Sequence, residues 1–71
     1  MPKDRIFFDL FETVAGNVAL IASKLKDMVS ETDFDKRANI LVQIEDLEHV
    51  NDDLTHRIFT ELGRHFITPF E

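Results

Sequence analysis

Between positions 45 and 56 the chain places Glu45, Glu48, His49, Asp52 and His56. On a helix, Glu48 and Asp52 stand one turn apart on the same side, so their carboxylates can present oxygens to one ion or to adjacent ions. His56 continues the same ladder from Asp52, and His49 borders it. Oxygen ligands with a few imidazoles suit iron, manganese, magnesium or zinc, and the spacing does not choose among them. The acidic stretch interrupts an otherwise apolar line: Phe34, Ala38 and Leu41 come before Glu45, Glu48 and Asp52, then Thr55, and Phe59, Leu62 and Phe66 follow. If that line faces a core, its carboxylates must be protonated, paired, hydrated or bound to a cation, because an isolated buried charge is costly. The alternative is that Glu45, Glu48 and Asp52 form a solvated flank, while a second stripe of Ile40, Ile44, Leu47, Asn51, Leu54 and Ile58 makes the core.

Helices must carry these residues. Phe7, Phe11, Val14, Val18, Ile21, Leu25 and Met28 recur at spacings of four and three, the period of a helical seam and not the alternation of a strand. The spacing predicts one helix over about 2–30, with Pro2 at its first position and Asp4 in its first turn, where a carboxylate favours the positive end of the helix dipole. The polar cluster Ser30-Glu31-Thr32-Asp33 is the one internal loop signal, giving a loop over about 31–33. Thr32 or Asp33 can cap a second helix over about 34–66. So short a connection makes the helices antiparallel neighbours. With the turn centred near residues 31 and 32, Glu12 stands level with Asn51 and Asp52 and offers a ligand from the opposite wall. It interrupts a stripe of Phe8, Ala15, Ala19 and Ala22, where small side chains and Gly16 would leave space for an ion and its waters. Asn51, inside an apolar stripe, can also serve as a register-setting hydrogen-bonding residue.

Composition narrows the class. Fourteen acidic against eight basic residues give a formal net charge of −6. Such an acidic chain lacks the basic stripe that a phosphate backbone requires, so no nucleic-acid partner is expected. Uninterrupted apolar runs are only a few residues long, and no charged start with an apolar run resembles a signal peptide, so no membrane insertion is expected. There is no cysteine, hence no disulfide framework, thiolate metal site or cysteine nucleophile, and a cytoplasmic location is the expectation. A Gly-rich phosphate loop, a His-Glu-x-x-His pair and a nucleophile with its base are likewise absent, so no enzyme activity is expected. Hydrophobic residues make up 44% of the chain, with seven Phe. That is more apolar surface than two helices can hide from each other, so a homo-oligomer is expected, most simply a two-fold dimer forming a four-helix bundle.

A family resemblance adds to this reading. The residues Phe7-Phe8-Asp9-Leu10-Phe11-Glu12 with Asn17, then Ile44-Glu45-Asp46-Leu47-Glu48-His49 with Asp52 and Thr55-His56, and the ending Phe66-Ile67-Thr68-Pro69-Phe70, resemble the amino-terminal part of the PhoU-like accessory proteins of inorganic phosphate transporters. The resemblance implies an all-helical, bundle-forming regulatory protein with a phosphate transporter or its regulatory machinery as partner. It also implies that Glu48 and Asp52, matching an acidic motif of the family, hold metal, with Glu12, Glu45, His49 and His56 as further ligands. Val50 and Asn51 depart from the family pattern and thin the acidic ladder. Typical members are about three times as long. Thr68 as a cap, Pro69 at the first helical position and Glu71 three residues after the cap read as the start of a further helix, so the chain is expected to be the amino-terminal fragment of a longer bundle. The other functional classes compatible with the residues are a di-metal carboxylate bundle enzyme or metal-storage protein, and a purely structural helical-hairpin oligomer.

Overall fold

A computed structural model describes residues 2–66, with side chains described for residues 5–65. Two helices make up the fold, α1 over Pro2–Ser30 and α2 over Phe34–Phe66, folded back on each other as an antiparallel hairpin. Three residues join them. Asp33 caps α2: its Oδ1 accepts from the backbone N–H of Lys36 at 3.1 Å, and Arg37 N–H donates to its carbonyl at 3.0 Å to begin the helix. The Glu31 carboxylate accepts from the backbone N–H groups of Thr32 and Asp33, both at 3.1 Å, and so holds the loop's free donors. Asp35 in the first turn of α2 and Arg64 and His65 in its last complement the helix dipole. The expected helix start at Thr68-Pro69 and the side chains of Asp4 and Phe66 lie outside the described residues.

The buried core consists of Phe7 and Leu10 of α1 with Ile44 and Ile58 of α2. Around it, half-buried Val14, Asn17, Ile21, Lys24 and Met28 continue the α1 seam at alternating spacings of four and three, and Ile40, Leu47, Asn51 and Leu54 continue that of α2. The second stripe of α2 is therefore the one that faces α1. On α1 the seam differs from the expectation: Leu10, Asn17 and Lys24 face inward, whereas Phe11, Val18 and Leu25 are exposed. The physical reason lies across the seam. Asn17 Nδ2 donates to Asn51 Oδ1 at 2.9 Å, Asn51 Nδ2 donates to the Val14 carbonyl at 3.4 Å, and the Lys24 ammonium donates to Gln43 Oε1. Polar residues on α2 thus draw polar residues of α1 inward.

These pairs also correct the register. With Asn17 level with Asn51 and Lys24 level with Gln43, the hairpin's midpoint falls at about residue 34, in the first turn of α2 and not at residues 31 and 32. At the open end Phe7 stacks on Phe11 at 6.5 Å and meets the edge of His65 at 5.8 Å, while His65 Nε2 lies 3.2 Å from a Glu61 carboxylate oxygen.

Two helices this long cannot enclose a core. The molecule measures 62 × 18 × 12 Å with a radius of gyration of 16.9 Å, against about 11 Å for a compact chain of this length. Its accessible surface is 5837 Å², where a compact 8.3 kDa protein exposes about 4,600 Å². By length and composition, the stretch Arg5–Ser30 of α1 is apolar enough to cross a membrane.

Candidate functional site

The exposed apolar residues are not scattered. A quarter-turn from the seam, α1 carries a second line with the same alternating spacing: Phe8, Phe11, Ala15, Val18, Ala22, Leu25 and Val29, all exposed. Rotated the same way from its own seam, α2 carries Phe34, Ala38, Leu41, then Glu45, Glu48, Asp52, Thr55, then Phe59 and Leu62. In an antiparallel pair, equal rotations from the two seams lead to the same flank, so both lines lie on one broad face of the hairpin. Among the described residues, eight of the eleven large hydrophobic side chains left exposed belong to it, including Phe8 at 64%, Phe59 at 68% and Val29 at 79% exposure. The opposite face is mainly polar, with Asp9, Ser23 and Asp27 on α1 and Asp46, Asp53 and Arg57 on α2, all exposed, and with Leu20 and Val50 as its exposed apolar side chains. Monomeric proteins rarely leave a contiguous apolar surface of this extent in water.

Along its length the face has two apolar ends and an acidic waist. Phe8, Phe11 and Phe59 form the open end; Leu25, Val29, Phe34 and Leu41 form the turn end. Between them Glu45, Glu48 and Asp52 of α2 stand beside the small residues Ala15 and Ala22 of α1. The sequence-predicted ligands Glu45, Glu48 and Asp52 are thus brought onto one line, exposed, and not turned toward α1. His49 and His56 are exposed on the outer edge of α2, next to that line.

Glu12 does not join them. It occupies the side of α1 directed away from α2, and the corrected register sets it level with His56, a full turn from Asp52. Its surroundings are a shallow depression of about 310 Å³ that it lines with Asp9 and Thr13. Gly16, expected to leave space for an ion, faces open surroundings. Among the described residues no three His, Asp or Glu side chains converge as a ligand set, and no buried side-chain polar atom lacks a partner. Glu48 and Asp52 supply neighbouring oxygens from one helix, and no carboxylate or imidazole of α1 among the described residues stands level with them.

Reading the residues missed the α1 line as a face. The signal was present in the unbroken alternation from Phe8 to Val29, but Glu12, grouped with Phe8 and the alanines, belongs to a neighbouring line and concealed it. No family model, curated protein or solved structure matches the chain.

Proposed function

We propose that the hairpin is a non-enzymatic interaction module, an accessory or regulatory protein of inorganic phosphate transport similar to PhoU, that works by burying its apolar face in a helical bundle. One observation carries the mode of action: an apolar face, unbroken along α1 and interrupted on α2 by the acidic waist, that the fold does not cover, opposite a mainly polar face. The phosphate context rests on the resemblance of the motifs around Phe7–Glu12 and Ile44–His56. The acidic waist does not attract phosphate, since like charges repel; a cation held there would reverse the local sign, and the hairpin alone offers it only an incomplete set of oxygens.

Two measurements in the native cell test the reading. Deleting the gene is expected to change inorganic phosphate uptake or its response to phosphate supply. Phe8→Asp with Phe59→Asp, which charges the face and changes no residue of the seam, is expected to reproduce the deletion while the helical circular dichroism signal persists. Unchanged uptake in the deletion strain would remove the phosphate context, and a face variant that behaves as the original would remove the mode of action.

A further inference from the structure

We infer that the face is covered by a second copy of this chain, packed face to face with both turns at the same end, so that α1 of each copy lies against α2 of its partner. The inference deepens the interaction-module reading, on which it rests, by naming the partner and its orientation. Area supports a copy as the occupant. Each chain exposes about 1,200 Å² more than a compact protein of its mass. Two copies hiding that surplus bury about 2,400 Å², within the range of permanent homodimers.

The order of residues along the face selects the orientation. Two hairpins meeting on this face can be related by a two-fold axis along the helices or across them. Across the helices, the turns lie at opposite ends, α1 meets its copy, and the acidic waists meet each other. The waist of α2 is centred near Val50, which Asn17 and Asn51 set level with Val18, the centre of the α1 line. That arrangement sets Glu48 against the copy's Asp52 and Glu45 against the copy's Thr55. Six carboxylates then crowd one layer, with no basic residue on either line to offset them.

An axis along the helices avoids this. Each α2 waist then faces the level stretch of the partner's α1, which is Ala15, Val18 and Ala22. Short side chains there allow the carboxylates to bend outward to water. The apolar ends meet apolar ends in the same arrangement: Phe8 and Phe11 lie opposite Phe59 and Leu62, and Leu25 and Val29 lie opposite Leu41 and Ala38. All neighbouring helices in the resulting four-helix bundle run antiparallel.

The absence of cysteine makes the orientation measurable. Thr32→Cys puts one label in the exposed loop, and double electron–electron resonance on the full chain at about 100 μM reads the distance between the two copies. Turns at one end give a single distance below about 25 Å, since neighbouring helices pack 8–10 Å apart. Turns at opposite ends give about 40 Å, because the loop lies some fourteen residues from the midpoint at 1.5 Å each. The short distance, lost when Leu25→Asp is added, is the expected result. The long distance overturns the orientation. Absence of dipolar modulation overturns the second copy as occupant, whether the chain is folded or not; if uptake in the cell still depends on the face, the interaction-module reading survives with a different partner.

Discussion

At the scale of single residues, the polar members of the interhelical seam decide more than the apolar ones. Asn17 and Asn51 spend hydrogen-bonding capacity on each other and on the Val14 carbonyl. An apolar replacement of one leaves the other short of a partner in a half-buried layer, whereas replacing both removes the need. Asn17→Leu or Asn51→Leu is therefore expected to lower stability by about 1 kcal/mol in chemical denaturation, and the double variant to recover most of that loss. Stability alone does not show what the pair contributes; the recovered double variant is expected to show exchange-broadened NMR signals near Val14, because a Leu–Leu layer tolerates neighbouring registers that an Asn–Asn bond does not. Gly16 offers a simpler test. A methyl group there meets nothing within 4 Å, so Gly16→Ala is expected to raise stability by about 0.5–1 kcal/mol through helix propensity alone. A loss would mean that something packs against that position.

At the scale of the elements, Asp33 terminates the loop and starts α2, and Asp33→Ala is expected to cost about 1 kcal/mol, read as a lower denaturation midpoint with an unchanged slope. Along α2, Glu45, Glu48 and Asp52 repel one another at one-turn spacing, each such pair costing about 0.2–0.5 kcal/mol. Glu48→Gln with Asp52→Asn is thus expected to leave the melting temperature unchanged or raise it. A melting temperature that rises with added iron, manganese, magnesium or zinc in the original chain, and no longer does so in this variant, would show instead that a metal shell forms there.

The helices, their antiparallel pairing and the inward stripe from Ile40 to Ile58 were legible in the spacing, because α2 has one clearly apolar line without charge. The inward line of α1 was not legible. Its apolar arc runs unbroken from Leu10 through Phe7 and Phe11 to Phe8, so periodicity favours no single direction within it. The direction is chosen by Asn51 and Gln43 on the other helix, a tertiary fact that local pattern does not contain. The same rotation moved Glu12 to the far edge and separated it from Asp52, which left the expected ligand set divided between two edges of the hairpin.

At the scale of the whole molecule, an elongated body with four buried side chains among the described residues and one uncovered apolar face is, on the proposed pairing, half of a packing unit. Burial of so few residues offers little against the entropy of ordering two helices, so the proposed pairing makes coverage of the face the main source of stability and not an addition to it. Folding and association are consequently expected to rise together with concentration. Sedimentation equilibrium from 1 to 100 μM, followed by circular dichroism on the same samples, measures this directly. The expected result is a mass of twice 8.3 kDa, with helicity falling as the mass falls on dilution. A fully helical species at 8.3 kDa across the whole range would contradict it, because the hairpin would then be stable with its face in water.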